Sequence, residues 1–333
     1  MLRAWRKPDT VIVHEWCWNS LAKHADIVLP CTTSLERNDI AFSPRDPYIV
    51  NMQKAQEPPG EARNDYDILT GLARRLGFEE KFTEGRNEKQ WIRWIYNKTR
   101  ENAVDRDMAL PEYEELVDRG WFVPPAPQEP NVLLKAFRDD PEGTPLKTKT
   151  GKIEIFCPTI DEFGYDDCPG HPTWMEPLEW LGMEDPLFPL HIISNQPKTK
   201  LHSQLDHGSH SRASKIQGRE PVTLNSREAA QRGLEAGDIV RLYNHRGACL
   251  AGVVVDDNIM DGVAQISTGA WFDPLEPGNP GSLCKHGNPN MLTPDKGTSK
   301  LGQGPIAHTC LAEIEKFEGE LPAVTAFDPP EII

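Results

Sequence analysis

Residues 237–255 read G-D-I-V-R-L-Y-N-H-R-G-A-C-L-A-G-V-V-V. From Gly237 to Asn244 apolar and polar side chains roughly alternate, the period of a strand with one covered face. His245-Arg246-Gly247 supplies a turn, and residues 248–255 form a second, mostly apolar run. Working outward, 189–193, 221–224, 262–267 and 309–317 are further short strand-like runs separated by turn residues. A short helix is expected over 226–232, stopping at Gly233. Many short strands with glycine turns predict a closed β-barrel with small helices.

The other half reads differently. Residues 10–14 (T-V-I-V-H) and 25–30 (A-D-I-V-L-P) are expected to be buried strands, with one or two helical turns over 19–25 between them. Strand, short helix, strand is a βαβ unit, so a parallel sheet is expected, with ligands at the carboxyl ends of its strands. Residues 65–76 read as an amphipathic helix with Ile68, Leu69, Leu72 and Leu76 on one face, Asp65 as its N-cap and Gly77 just past its end. Further helices are expected over 88–100 and 111–119, a break over 124–130, and a strand with one wet face over 152–156 (K-I-E-I-F). Residues 157–189 are rich in proline, acid and aromatic side chains and read as a linker lying across a surface. The expected division is an α/β remnant of a doubly wound domain over 1–100, a helical and Pro-rich connection over 101–188, and a β-rich barrel domain over 189–333.

At 333 residues the length supports two domains. A formal charge of -15 speaks against a broad nucleic-acid partner. No apolar run approaches the roughly 20 residues of a membrane span, and the first ten residues hold no signal-peptide core. The seven cysteines are scattered with no C-x-x-C pair, which argues for buried thiols over a disulfide framework or a structural zinc site.

Two polar loops carry the candidate chemistry. Residues 194–204 read S-N-Q-P-K-T-K-L-H-S-Q, and residues 287–305 read G-N-P-N-M-L-T-P-D-K-G-T-S-K-L-G-Q-G-P. Side-chain donors, acceptors and lysines at a strand end suit an anionic, polyfunctional ligand, and two such loops suggest two lips of one site. The plain alternative is a pair of solvated surface loops.

These residues resemble the molybdopterin oxidoreductases of the dimethyl sulfoxide reductase type, nearest to the biotin sulfoxide and trimethylamine N-oxide reductases. The stretches that carry the likeness are H-A-D-I-V-L-P-C-T-T-S-L-E-R-N-D-I (24–40), G-K-I-E-I-F (151–156), S-N-Q-P-K-T-K-L-H-S-Q-L-D (194–206), G-A-W-F-D-P (269–274) and residues 287–305. The resemblance implies a double-psi β-barrel over 189–333 and a bis(molybdopterin guanine dinucleotide) molybdenum cofactor, in an enzyme that reduces S-oxides or N-oxides. Family members are much longer, and this sequence matches their C-terminal portion. It is therefore expected to be a fragment, a split gene or a truncated reading frame. The metal-ligating segment lies in the missing N-terminal part, so neither a catalytic residue nor a metal ligand is expected here.

The resemblance implies cofactor-binding roles for ten residues. Glu15 would accept from ribose hydroxyls, Arg37 would reach the nucleotide as a planar cation, and Asp65 would accept the paired donors of a guanine. Surface ion pairs for Glu15 and Arg37, and a helix cap for Asp65, are the structural alternatives. Asn195, Gln196, His202 and Ser203 match one lip along a pterin and its phosphates. Asn290, Gln303 and Gly304 match the other, with Gly304 admitting a close backbone approach. Lys200 would balance phosphate charge. His207, His210 and His286 lack the partners of a metal site, Ser203 lacks a nucleophile's partners, and Trp271 reads as packing. Implied partners are the missing N-terminal part, a small-molecule oxide and an electron donor protein. Relatives of both cytoplasmic and periplasmic location leave the compartment open. The rival reading is a non-catalytic barrel module that binds a nucleotide or a protein, which would have no need of Glu15, Arg37 and Asp65 beside half a nucleotide domain.

Overall fold

The computed structural model describes residues 1–43, 46–104, 108–125, 130 and 132–330. The chain divides into two compact units. The first holds Thr10–Cys17 and Ala25–Arg138. In it β1 (Ile12–Glu15) and β2 (Ile27–Pro30) pair in parallel, with Ile12 opposite Ile27 and Glu15 opposite Pro30. A second sheet is antiparallel: β3 (Asp39–Ser43), β4 (Asp46–Met52) and the two-residue β5 (Trp121–Phe122). The sequence reading did not anticipate this sheet. Helices run over Asp65–Arg75, Glu88–Val104 and Tyr113–Arg119.

Three expectations for this unit need correction. β1 and β2 are not buried strands: Val13 alone of their residues is buried, while Ile12 and Ile27 are 50% and 44% exposed. A parallel pair is covered on both faces only when neighbouring strands and helices lie against it, and no third strand joins this pair among the described residues. The expected inner face of the helix over 65–75 also lies open, with Leu69, Leu72 and Leu76 exposed and Ala73 buried instead. Asp65 is the first helical residue, not the N-cap; Asn64 holds that position. Gly77 does sit just past the end, at φ 81°.

The second unit holds Met1–Asp9, Trp18–His24 and Asp139–Ile333. The helix expected over 19–25 is one 3-10 turn, Ala22–His24, capped by the Asn19 side chain. Residues 152–156 form no strand, because Ile153 and Ile155 find no neighbouring strand and stand 65% and 80% exposed. The barrel does form. β6 (Leu190–Ile193), β7 (Pro221–Leu224), β8 (Ile239–Asn244), β9 (Gly247–Val255), β10 (Val263–Ile266) and β11 (Cys310–Lys316) close in the order β10-β6-β11-β8-β9-β7. β6 and β7 each have one parallel partner, β10 and β9 respectively, and the remaining pairs are antiparallel. Leu190, Ile192, Val222, Leu224, Leu242, Ala251, Ile266 and Ile314 fill its interior. Cys249, Cys284 and Cys310 are buried in the same core. Burial pushes the Cys249 thiol well above its ordinary value and that of Cys310 up to about 11.

A side-chain cap and a glycine shape the barrel. Asn225 accepts from the Glu228 N–H at 2.8 Å and so caps the helix Ser226–Gln231. Gly252 permits a close crossing, since a Cβ there would lie 2.3 Å from that of Ile216. The linker expected over 157–189 is docked through Glu179, which accepts from the Leu311 N–H at 3.0 Å and pairs with Arg246.

A closed sheet has no free edges, whereas β1 and β2 have each other alone. Amide hydrogen exchange is therefore expected to be slowest in β8 and β9 and much faster in β1 and β2. Stronger protection in β1–β2 than in β8–β9 would contradict this account.

Candidate functional site

Strand directions bring three loops to one end of the barrel. β6 ends at Ile193 and runs into the loop 194–208. β10 is parallel to β6, with Gln265 opposite Ile193, so the loop beginning at Ser267 leaves at the same end. β11 is antiparallel to β6, with Cys310 opposite Ile192, so the segment 287–309 enters there too. Both predicted lips and the G-A-W-F-D-P stretch thus share one rim.

The first lip is gripped by the loop after β10. The Thr268 N–H donates to the Asn195 carbonyl at 2.9 Å, and the Ser267 hydroxyl lies 3.2 Å from Asn195 Oδ1. The Trp271 indole donates to the Ser203 carbonyl at 2.8 Å; its side chain is packed, as read from the sequence. His202 has φ 50°, and Gly269, at φ 98°, lies so near that a Cβ there would be 1.8 Å from the His202 carbonyl oxygen. Only glycine fits. Gln196, His202 and Ser203 are exposed on this rim, and Asn195 is half-buried.

On the second lip the Asn288 side chain takes the Asn290 backbone N–H at 2.9 Å, and the Asn290 side-chain amide is exposed with no hydrogen-bond partner among the described residues. Gln303 instead folds back, donating to the carbonyls of Ser299 at 2.9 Å and Lys300 at 3.1 Å. The Gly304 carbonyl accepts from the Thr298 N–H at 2.7 Å, and a Cβ at 304 would make only ordinary contact with Thr298, 3.5 Å away. This chain's own packing therefore does not require glycine at 304. No hydrogen bond joins the two lips among the described residues.

Lys200 corrects the sequence reading. Its ammonium does not face the rim but lies wholly buried, 3.0 Å from Asp206 and 2.8 Å from Glu220. Lys215 closes the square, 2.9 Å from Asp206 and 2.8 Å from Glu220. Two cations and two carboxylates share one dry site, so Lys200 has no charge to spare for a phosphate. Burial alone would raise the Asp206 carboxyl, but Lys215 foremost, then His286 and Lys200, outweigh it and hold the carboxyl below its ordinary range. No periodicity marks these four residues, and in a loop full of polar side chains the lysines read as solvent-facing. Beside them His286 is fully buried, its Nδ1 3.0 Å from the Trp271 carbonyl and its ring edge-on to Phe327. Burial foremost, with Lys215 adding, pushes its pKa down to about 4. His207 packs on Trp271, and His210 is exposed in the short helix Ser209–Ala213.

In the other unit the parallel pairing aligns the carboxyl ends of β1 and β2, where Glu15 and Cys31 meet: the Cys31 N–H donates to the Glu15 carbonyl at 3.2 Å. Burial raises the Cys31 thiol, the charges of Asp65 and Glu15 add to this, and Arg37 opposes it. All three predicted residues of this unit therefore gather around Cys31. Asp65 sits 2.8 Å from His14 Nδ1 yet stays 53% exposed. Arg37 donates to the Thr32 carbonyl at 3.2 Å and lies 3.5 Å from Asp39. The Glu15 carboxylate accepts from the Trp16 N–H at 3.0 Å.

Comparison with known proteins fits both halves. Residues 190–311 match the molydopterin dinucleotide binding domain, and residues 1–75 match the family described as molybdopterin oxidoreductase. Over these two stretches the chain belongs to the molybdopterin oxidoreductases. Among relatives of this family, it is 45% identical to the dimethyl sulfoxide/trimethylamine N-oxide reductase of Cereibacter sphaeroides over 99% of the chain. It is 43% identical to trimethylamine-N-oxide reductase 1 of Escherichia coli O157:H7 over 99% of the chain. It is 45% identical to the biotin sulfoxide reductase of Cereibacter sphaeroides over 95% of the chain. The chain spans 41%, 40% and 42% of those three proteins. Acetylene hydratase from Pelobacter acetylenicus shares the fold, with a TM-score of 0.71, 22% identity, and coverage of 95% of this chain and 41% of that one. No helix among the described residues is long and apolar enough to cross a membrane.

The barrel half thus stands on a buried charge square flanked by a neutral histidine, and this has a pH signature. Between the ordinary histidine value and about 4, the unfolded chain binds one proton more than the folded one. Stability must then fall as pH drops through that window, by roughly 3 kcal/mol at most. Urea melts of the barrel at pH 7 and pH 5 are expected to show this loss, and His286→Gln should flatten it. Lys215→Met, which leaves a buried negative charge uncompensated, should cost about 3–5 kcal/mol at pH 7.

Proposed function

We propose that this chain is the cofactor-clamping C-terminal portion of a molybdenum enzyme that reduces S-oxides or N-oxides. The observation that carries the reading is the rim itself: Asn195, Gln196, His202, Ser203, Asn290, Gln303 and Gly304 lie at one end of a barrel matched by a molybdopterin dinucleotide binding domain. Identity of 43–45% to dimethyl sulfoxide, trimethylamine N-oxide and biotin sulfoxide reductases supports the reaction class. The mixed parallel and antiparallel pairing of six strands supports a double-psi barrel over 189–333. The β1–β2 pair supports a doubly wound remnant in residues 1–100, with 101–188 as the connection.

The residues present suit such a group. Asn290 offers an unused donor and acceptor to a pterin edge. Gly269 and the left-handed His202 hold the first lip in a shape that any Cβ at 269 would destroy. Glu15, Arg37 and Asp65, around the ends of β1 and β2, would hold a guanine nucleotide of the cofactor, Asp65 accepting paired guanine donors with its two oxygens, one of which also faces His14. When bound, a bis(molybdopterin guanine dinucleotide) molybdenum group supplies two-electron oxygen-atom transfer. This chain orients it, adding no catalytic side chain of its own. The remaining length of the relatives, an oxide substrate and an electron donor protein are the partners this reading requires.

The isolated 333-residue chain is expected to give no turnover with reduced viologen and dimethyl sulfoxide, trimethylamine N-oxide or biotin sulfoxide. Turnover above a protein-free control would overturn the reading. In a protein that joins this chain to the additional length its relatives carry, Asn290→Ala should lower cofactor retention or activity about 5- to 150-fold, the equivalent of roughly 1–3 kcal/mol from ring atoms left unpaired. Asp65→Asn sets an amide donor against a guanine donor, and its loss should appear in molybdenum content. If Asp65→Asn loads fully, the nucleotide assignment is wrong. If Asn290→Ala changes neither content nor turnover, the second lip is not part of the site.

A further inference from the structure

Asn64, which precedes the helix Asp65–Arg75, does not cap it with its side chain. The amide bridges instead: the Thr32 hydroxyl donates to Asn64 Oδ1 at 2.9 Å, and Asn64 Nδ2 donates to Glu88 Oε2 at 2.5 Å. Thr32 is buried, its carbonyl takes the Arg37 guanidinium, and its N–H donates to the Arg63 carbonyl at 3.1 Å. The Asn64 side chain foremost, then Asn38 and the Arg37 charge, favour the charged form of Glu88. One carboxylate thus reaches the residue before Asp65 and, through Asn64 and Thr32, the carbonyl that Arg37 holds. It stands at the wall of a cavity of about 850 Å³ that Arg37, Asn38, Asn64 and Asp67 also line.

Glu88 is poorly suited to stabilise the fold. Its Oε1 is buried with no hydrogen-bond partner. Burial foremost, and then the Asp67 carboxylate, raise its pKa against the help of Asn64, Asn38 and Arg37. A carboxyl raised in the folded state opposes folding once it ionises, so above its ordinary range Glu88 subtracts from stability. A half-buried carboxylate with one oxygen sealed and unpaired, which works against the fold while bonded to the residue before a candidate ligand, points to a role in the site.

We propose that Glu88 is a positioning residue for the nucleotide site: through Asn64 it sets the start of the helix that carries Asp65 and sets Thr32, whose carbonyl takes the Arg37 guanidinium. The inference rests on the nucleotide role proposed above for Asp65 and Arg37. The ionised Glu88 draws on the Asn64 N–H, which polarises the amide and strengthens the bond that Asn64 Oδ1 accepts from Thr32. Loss of that charge loosens the relay without removing any group that touches the ligand.

The test uses the 333-residue chain and guanosine diphosphate, titrated by calorimetry from pH 5 to pH 8, together with urea melts. Wild type is expected to bind, and Asp65→Asn to lose binding. Glu88→Gln keeps an acceptor for Asn64 but no charge. Its affinity should be about threefold to tenfold weaker at pH 8, the scale of one charge-assisted hydrogen bond made neutral. It should converge on wild type as the pH falls and Glu88 protonates, while its stability at pH 8 is equal or higher. Asp67 and Arg37 face Glu88, and His14 pairs with Asp65, in both proteins, so all three drop out of the ratio. Thr32→Val cuts the far end of the relay, and the double variant should bind no worse than the weaker single one. If Glu88→Gln binds as wild type at pH 8 while Asp65→Asn does not bind, Glu88 has no positioning role and the nucleotide reading survives. A Glu88→Gln deficit that is constant with pH or tracks lost stability, or an additive double variant, also overturns the proposal. Absence of binding by wild type overturns both.

Discussion

The barrel half depends on a dry square of four charges. Lys200 and Asp206 come from the loop after β6, and Lys215 and Glu220 lie just before β7, so the square ties a long irregular connection to the strand that follows it. Each ion faces two of opposite sign at 2.8–3.0 Å, which is what makes four charges tolerable out of water. The square also sets the rim. Asp206 takes the Trp271 N–H with its second oxygen at 3.0 Å, Trp271 holds Ser203, and Gly269 abuts His202. The first lip therefore hangs from a rigid internal anchor, with Gln196 and His202 left on the surface.

The six barrel strands were legible because each carries alternating or continuous apolar residues bounded by glycine, proline or asparagine, and most apolar positions of 239–253 are found buried. The parallel β1–β2 pair was legible from T-V-I-V-H and A-D-I-V-L-P for the same reason. Burial in that unit was not, since a sequence shows which residues could be covered and not whether a cover is there; Ile12, Ile27, Leu69 and Leu72 have none. β3 and β4 were passed over because D-I-A-F-S and D-P-Y-I-V-N-M mix exposed aromatic side chains with acids. K-I-E-I-F, with a cleaner alternation, made no strand. Alternation is a necessary signal, and strand formation further requires a partner edge.

The candidate site was legible in outline through residue type and loop position, and strand direction brings those loops together. What the sequence hid was the division of labour inside each loop. Lys200 and Asn290 stand in equally polar surroundings, yet one is buried in a salt-bridge square and the other offers a free amide to solvent. Glu88 was read only as the start of a helix, because a relay through Asn64 to Thr32 spans residues far apart in the chain.

The three thiols inside the barrel have a practical consequence. Cys249, Cys284 and Cys310 are sealed from solvent, and two of them carry pKa values raised by that burial, so the nucleophilic thiolate is scarce at neutral pH. Electrophiles and oxidants that consume surface cysteines will leave these untouched while the sheet stays closed. Their alkylation rate is then a built-in clock for barrel opening, readable by mass spectrometry without introducing any new cysteine.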